Sequence, residues 1–99
     1  MKTIEVGIIG TGWCGGIRAA ACAASSWVQK LHLAEINEGR LKEVSARTHP
    51  DTSTTDYHVL LRNPQIDAII ISTTPETSHY PVARESLLAG KHVLLEKPL

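Results

Sequence analysis

The sequence lacks an excess of charge of either sign. Its 99 residues include ten Lys and Arg and ten Asp and Glu, so the formal net charge at pH 7 is zero. Nucleic acids and anionic membranes attract proteins through strongly basic surfaces. We therefore expect neither nucleic acid nor membrane among the partners of this chain.

A long hydrophobic run is also missing. The N-terminal stretch MKTIEVGIIG is interrupted by Glu5, and Gly10 and Gly12 follow directly. A transmembrane helix needs about 20 consecutive apolar residues, and a signal peptide needs an uninterrupted apolar segment. The stretch fits neither, and we expect a cytoplasmic protein.

Cysteine is scarce, since the chain contains only Cys14 and Cys22. On one helix, residues this far apart lie about 12 Å from each other, whereas a disulfide needs Cα atoms roughly 5.5 Å apart. The pair predicts a reducing compartment and packing roles for both side chains.

Four of the five histidines show no spacing typical of metal ligands, so we expect no metal site and interpret their side chains as solvated or packed: His32, His49, His58 and His92.

What the sequence does contain is a regular alternation of β-type and α-type segments. Short β-branched runs predict strands at 3–9, 28–36, 53–55, 66–72 and 92–96. Helical spacing, caps and stop signals predict helices at 12–25, 37–49, 57–62 and 81–90. The alternation predicts one α/β domain over residues 1–99, a doubly wound parallel sheet of the Rossmann type, truncated after its fifth strand.

The stretch GTGWCG matches the pattern G-x-G-x-x-G at Gly10, Gly12 and Gly15. The pattern alone is more typical of a plain glycine turn, but here it follows a predicted strand and opens a predicted helix, as dinucleotide binding requires. Gly10 would permit the tight turn, Gly12 the approach of a pyrophosphate, and Gly15 close helix packing. Free N–H groups at the helix start would bind the phosphates.

The residues between these glycines are assigned to the same cofactor site: Thr11, Trp13 and Cys14. Trp13 either covers the pyrophosphate or packs against the first helix, and the sequence favours neither arrangement.

An acidic residue completes the signature. Glu35 ends the second predicted strand 20 residues after Gly15, where a carboxylate can accept hydrogen bonds from both adenosine ribose hydroxyls. The same carboxylate would repel a 2′-phosphate, so we expect NAD to be preferred. Arg40 could accommodate that phosphate, which leaves NADP open as a cofactor. The alternative for Glu35 is an exposed carboxylate at the start of the next helix.

The order of these segments resembles the Gfo/Idh/MocA family of nicotinamide-dependent oxidoreductases. VGIIGTGWCG is similar to the opening of that family, and DAIIISTTPETSHYPVARESLLAGKHVLLEKPL is similar to its segment from the fourth to the fifth strand. The resemblance covers the whole chain. It implies a nicotinamide cofactor and reversible hydride transfer with a sugar, inositol or related polyol.

The resemblance also implies roles for individual residues. It places three residues in a loop beneath the cofactor's phosphates and ribose: Thr73, Thr74 and Pro75. His79 would lie near the nicotinamide side at the start of the next helix, and Glu96 near the nicotinamide ribose. Lys97 would be the catalytic residue, because its ammonium could stabilise negative charge on the substrate oxygen during hydride transfer. Glu76 departs from the small, Pro or Asn residue expected after the Thr-Pro pair.

Members of this family continue into a second, substrate-binding domain. We therefore expect these 99 residues to be an N-terminal fragment that is inactive and self-associates, and whose parent enzyme is a homo-oligomer. Other classes remain open: the cofactor domain of an NAD-dependent glycosidase, a stand-alone NAD(H)-binding module, and a CoA-binding domain. Glu35 and the final Glu-Lys-Pro motif disfavour the CoA-binding domain.

Overall fold

Five parallel strands form one sheet in the computed structural model, which describes residues 3–11, 13–72 and 79–95. The strands are β1 (Ile4–Ile9), β2 (Val28–Ala34), β3 (Thr52–Thr54), β4 (Ala68–Ile71) and β5 (His92–Leu95). Four helices connect them: α1 (Trp13–Ala24), α2 (Glu38–Thr48), α3 (His58–Leu61) and α4 (His79–Leu88). The predicted alternation of strands and helices is confirmed.

The strand order is β3-β2-β1-β4-β5, and every neighbouring pair is parallel. The chain winds outward from β1 in one direction through β2 and β3, and in the other through β4 and β5. This confirms the doubly wound α/β fold. Ligands of such sheets bind at the carboxyl ends of the strands where the winding direction reverses, which is here between β1 and β4.

Side chains of the central strands alternate between two buried faces, as expected for a parallel sheet covered by helices. One face packs with α1 and α2 and contains Val6, Ile8, Ala19, Leu31, Leu33 and Val44. The other packs with α3 and α4 and contains Ile9, Ala34, Leu60, Ile66, Ile69, Ile71 and Val82. Cys22 packs against the first cluster with its thiol free, in agreement with its predicted packing role.

Gly7 lies where β1 meets the second of these clusters. A Cβ atom at this position would lie 2.9 Å from Ile69 Cδ1 and 3.1 Å from Leu60 Cδ1. Real Cβ atoms essentially never lie within 3.0 Å of another heavy atom, so the Ile69 side chain would have to shift, and the Leu60 contact would also be unusually tight. Glycine therefore allows α3 and β4 to pack closely against the centre of the sheet.

Element boundaries differ from the predicted ones by a few residues. β2 ends at Ala34 and not at residue 36, because Ile36 is 87% exposed and the side chain of Asn37 already caps α2 by accepting a hydrogen bond from Arg40 N at 3.0 Å. β3 lies one residue earlier than predicted, and β4 is shorter at both ends. α4 begins at His79, so Pro81 occupies its first turn, where a missing N–H costs no helical hydrogen bond.

The ends of two helices follow their predicted stop signals. α2 closes at His49, which adopts a left-handed conformation with φ 50° directly before Pro50. The turn after α4 contains Gly90 with φ 81°, a conformation that glycine adopts without steric cost. Within the described residues, no helix has the length and apolar character that crossing a membrane requires.

Candidate dinucleotide-binding site

The candidate site begins where β1 ends. Gly10 has φ 90°, in the region that favours glycine, and its N–H donates to Ala34 O at 2.8 Å. This is the tight turn that the glycine pattern predicted. Ile9 is in register with Ala34 on one side and with Ile71 on the other, so the turn lies at the centre of the carboxyl edge of the sheet.

The chain enters α1 directly after this turn, with Trp13 as the first helical residue and Cys14 and Gly15 in the first turn. N–H groups of a first helical turn lack intrahelical acceptors and carry the positive end of the helix dipole. The backbone therefore places the start of a helix, an element that can bind anions, at the position where the motif predicted one. Gly12 and the side chain of Trp13 lie outside the described part of the structure, so both arrangements of Trp13 stay predictions.

Glu35 follows β2 and is 5% exposed. Its Oε1 accepts hydrogen bonds from the Thr11 backbone N–H at 2.7 Å and from the Thr11 hydroxyl at 3.0 Å. Its Oε2 accepts one from the backbone N–H of Asn37 at 2.9 Å. The alternative of an exposed helix-leading carboxylate is therefore wrong, and the structure brings Glu35 and Thr11 together beside the Gly10 turn.

These contacts keep the buried carboxylate ionised. Burial by itself raises the pKa of Glu35, but the hydrogen bonds from Asn37 and Thr11 and the charge of Arg40 together lower the pKa below its ordinary value. Arg40 Nη1 lies 3.8 Å from Glu35 Oε1, and the Arg40 side chain is 44% exposed. Arg40, the predicted cofactor residue on α2, therefore lies on the solvent side of the Glu35 carboxylate.

The hydrogen bonds limit what Glu35 can still accept. A carboxylate has about four acceptor positions, and the two Thr11 donors and the Asn37 N–H occupy three of them. Within the described part of the chain, no donor occupies the fourth position, which is on Oε2. In this arrangement Glu35 can accept one ribose hydroxyl rather than the expected two, unless an existing donor is displaced.

Ser72 is a polar residue at this edge that the sequence reasoning missed. Its N–H donates to Ile9 O at 2.8 Å, which extends the β1–β4 ladder by one residue. Its hydroxyl is buried and has no hydrogen-bond partner among the described residues. Buried hydroxyls normally have a partner, so an unpaired one beside the Gly10 turn fits the polar groups of a bound dinucleotide. The sequence does contain a signal for this residue, because a polar side chain that directly follows a wholly apolar strand lies at the carboxyl edge of the sheet.

Five other predicted site residues lie outside the residues that the structure describes: Thr73, Thr74, Pro75, Glu96 and Lys97. His79 is the first residue of α4, as the resemblance implied. The catalytic assignment of Lys97 therefore stays a prediction.

A buried polar network lies at the opposite end of the sheet and was also missed. His32 Nε2 lies 2.9 Å from Glu5 Oε1, and His32 Nδ1 lies 2.7 Å from Thr52 Oγ1. The network links β1, β2 and β3 and agrees with the interpretation of His32 as a packed side chain. Within the part of the chain that is described, no cluster of three or more acidic, His or Cys side chains could hold a metal ion.

The sequence was compared with known proteins. Residues 4–99 match the GFO_IDH_MocA family model, described as "Oxidoreductase family, NAD-binding Rossmann fold". The chain is 33% identical over 108 residues to levoglucosan dehydrogenase of Pseudarthrobacter phenanthrenivorans, covering 100% of this chain and 27% of that protein. It is 28% identical over 96 residues to myo-inositol 2-dehydrogenase of Thermotoga maritima, covering 97% and 28%.

Solved structures give the same result. Scyllo-inositol dehydrogenase from Lactobacillus casei with bound NAD(H) and scyllo-inositol has a TM-score of 0.87 and 28% identity, covering 98% of this chain and 28% of that one. The 3-ketoreductase KijD10 from Actinomadura kijaniata with NADP has a TM-score of 0.83 and 30% identity, covering 99% and 31%.

The chain spans a little over a quarter of the length of the curated relatives it matches. Within that span, the match of the family model to residues 4–99 agrees with the strand order, the Gly10 turn and the buried acidic residue after β2. The chain therefore belongs to the Gfo/Idh/MocA oxidoreductase family, in which it corresponds to the NAD-binding Rossmann domain.

Proposed function

We propose that residues 1–99 are the dinucleotide-binding part of an NAD(P)-dependent oxidoreductase that acts on a secondary alcohol of a sugar, inositol or related polyol. The observation that carries the proposal is the buried, hydrogen-bonded Glu35 carboxylate beside the Gly10 turn. The substrate class is supported by relatives named as levoglucosan and inositol dehydrogenases. Apart from Lys97, the residues that bind the substrate would lie outside these 99 residues.

The proposal gives each of the following site residues a defined task. The Gly10 turn and the start of α1 bind the pyrophosphate through backbone N–H groups. Glu35 accepts a hydroxyl of the adenosine ribose, and the Ser72 hydroxyl, which has no partner among the described residues, offers a further donor at the same edge. The nicotinamide ring, when bound, accepts or returns the hydride. Lys97 would hold the substrate oxygen and stabilise its developing charge.

We also propose that NAD is preferred over NADP. An ionised Glu35 repels a 2′-phosphate, and the guanidinium of Arg40 already faces that carboxylate at 3.8 Å. Solved neighbours include a complex with NADH and another with NADP, so family membership alone does not decide the preference. The charge at position 35 is the local feature that does.

The cofactor preference is tested by titrating the purified protein with NADH and with NADPH, using the fluorescence of the reduced nicotinamide. We expect NADH to bind more tightly. Glu35→Gln should weaken NADH binding by roughly tenfold, since a hydrogen bond to a charged group contributes about 1.5–3 kcal/mol. It should leave NADPH binding unchanged or tighter, because the repulsion is removed.

The matched control is Glu38→Gln, which removes an exposed carboxylate from the first turn of α2 without touching Glu35. It should leave both dissociation constants within about twofold, since exposed charges interact weakly. Equal affinity of the unaltered protein for NADH and NADPH would refute the NAD preference. Failure to bind either nucleotide would refute the proposed function itself.

The proposal also covers the partners, the cellular location and the oligomeric state of the protein. A balanced net charge argues against nucleic-acid and membrane partners, and the free thiol of Cys22 suits a reducing, cytoplasmic location. We propose that the oxidoreductase is a homo-oligomer and that the 99-residue chain alone is inactive and self-associates.

A further inference from the structure

Thr11 occupies the first variable position of the glycine pattern and is 2% exposed. Both of its donors, the backbone N–H at 2.7 Å and the hydroxyl at 3.0 Å, bind the same oxygen, Glu35 Oε1. The two residues are 24 positions apart in the sequence and belong to the ends of neighbouring strands. A buried hydroxyl is thus committed to a single oxygen of the cofactor-selecting carboxylate.

The other oxygen is held from a different direction. Asn37 N–H, at the start of α2, donates to Glu35 Oε2 at 2.9 Å. Because donors from the loop after β1 and from the N-cap of α2 hold one oxygen each, the carboxylate cannot rotate without breaking a hydrogen bond. Its conformational freedom is lost when the protein folds, so binding a ribose hydroxyl does not have to order it.

We propose that Thr11 is a positioning residue that sets the cofactor choice of the site, by holding Glu35 Oε1 so that the position on Oε2 that no described donor occupies serves the adenosine ribose. This inference rests on the proposed function, since it assigns a role within the same site. Thr11 acts through Glu35 and need not touch the cofactor, in keeping with its burial.

Removal of the hydroxyl has two physical consequences. Glu35 loses one of the donors that lower its pKa, and burial, which raises that pKa, remains. Glu35 Oε1 is then held only by the backbone N–H of residue 11, so the carboxylate can turn more readily toward Arg40, whose Nη1 is 3.8 Å from that oxygen. Both changes weaken the hydrogen bond to the ribose and the repulsion of a 2′-phosphate, so discrimination between the two cofactors should fall.

The test compares Thr11→Val, which keeps the shape and removes the hydroxyl, with Thr11→Ser, which keeps the hydroxyl. For Thr11→Val we expect the ratio of the NADPH and NADH dissociation constants to fall by roughly tenfold, the effect of losing one hydrogen bond to a charged group. Thr11→Ser should stay within about twofold of the unaltered protein. Thr3→Val, at the opposite edge of the sheet, is the matched control and should change neither constant.

A pH profile separates positioning from general loss of structure. NADH binding should decline on the acid side as Glu35 is protonated, and in Thr11→Val this decline should begin at higher pH. Circular dichroism checks that each variant is folded. If Thr11→Val is unfolded, Thr11→Ala replaces it, with the same expected ratio and the same shift of the profile.

The outcomes are distinguishable. If the unaltered protein binds NADH and the variant without the hydroxyl keeps both the cofactor ratio and the acid profile, the role of Thr11 is refuted and the proposed function stands. If the unaltered protein binds neither nucleotide, both are refuted. A lower ratio and a shifted profile, with Thr11→Ser behaving like the unaltered protein, would support the inference.

Discussion

At the residue scale, the buried side chain of Lys91 donates hydrogen bonds to two backbone carbonyls. Its Nζ donates to Asn63 O at 2.6 Å and to Ile66 O at 2.8 Å, and the side chain is buried. Burial lowers the pKa of Lys91, while the charge of Asp67 acts in the opposite direction. The ammonium therefore ties the segment before β4 to the start of β5.

Lys91→Met should lower the free energy of unfolding by about 1–3 kcal/mol, because the Ile66 carbonyl loses this charged donor inside the protein. Urea denaturation followed by circular dichroism measures the change. Lys42→Met, which alters an exposed lysine on α2, is the control and should shift the midpoint little. Equal midpoints for the two variants would contradict the assigned role of Lys91.

At the element scale, one histidine links α3 to α4. His58 Nδ1 lies 2.8 Å from Asp56 Oδ1, and His58 Nε2 lies 2.8 Å from Glu85 Oε2. Tyr57 donates its hydroxyl to Glu85 Oε1 at 2.8 Å; burial and Glu85 raise the pKa of Tyr57 to about 12. The hydrogen bond to Asp56, together with Glu85, raises the pKa of His58.

The raised pKa of His58 gives a pH-dependent contribution to stability. Protonation is more favourable in the folded than in the unfolded chain, so the contribution is fully present below the unfolded pKa of about 6.5. It is lost as the pH rises through the higher folded value. His58→Gln should therefore lower the Tm more at pH 6 than at pH 9, as measured by thermal unfolding.

The control for this experiment is His92→Gln, an exposed position on β5. Its effect on the Tm should be small and similar at the two pH values. A His58→Gln effect that is equal at pH 6 and pH 9 would show that the ion pairs of His58 with Asp56 and Glu85 do not stabilise the protein.

At the scale of the whole molecule, large apolar side chains remain exposed on α4 and β5. Leu87, Leu88 and Leu94 are 61%, 73% and 53% exposed. Burying apolar surface contributes about 25 cal/mol per Å², so contact between copies through such residues is favourable. We therefore expect the 99-residue chain to self-associate at micromolar concentration.

Leu88→Glu should reduce this self-association, since a charge cannot be buried cheaply at a contact between copies. Light scattering after size-exclusion chromatography, over a range of concentrations, measures the average mass. Ala46→Glu adds the same charge to an exposed position on α2 and should leave the average mass unchanged. A monomer at every concentration tested, before any substitution, would contradict the expectation.

The sequence by itself determined the class of fold and indicated where the candidate cofactor site lies. The alternation of strands and helices, the turn at Gly10 and the cap at Asn37 follow from local preferences, because periodicity, positive φ and capping involve residues within a few positions of one another. Glu35 was located in the same way, by its distance from the glycine pattern and its place after a strand.

Only the tertiary structure decided which groups those residues contact. Thr11 and Glu35, His32 and Glu5, and Lys91 and Ile66 are each more than 20 positions apart. Such pairs form only when strand order and register bring their backbones together, and neither is written in a local pattern. For this reason the sequence indicated a carboxylate for the ribose, whereas the fold determined that it is buried, held ionised by its hydrogen bonds, and left with one acceptor position that no described residue occupies.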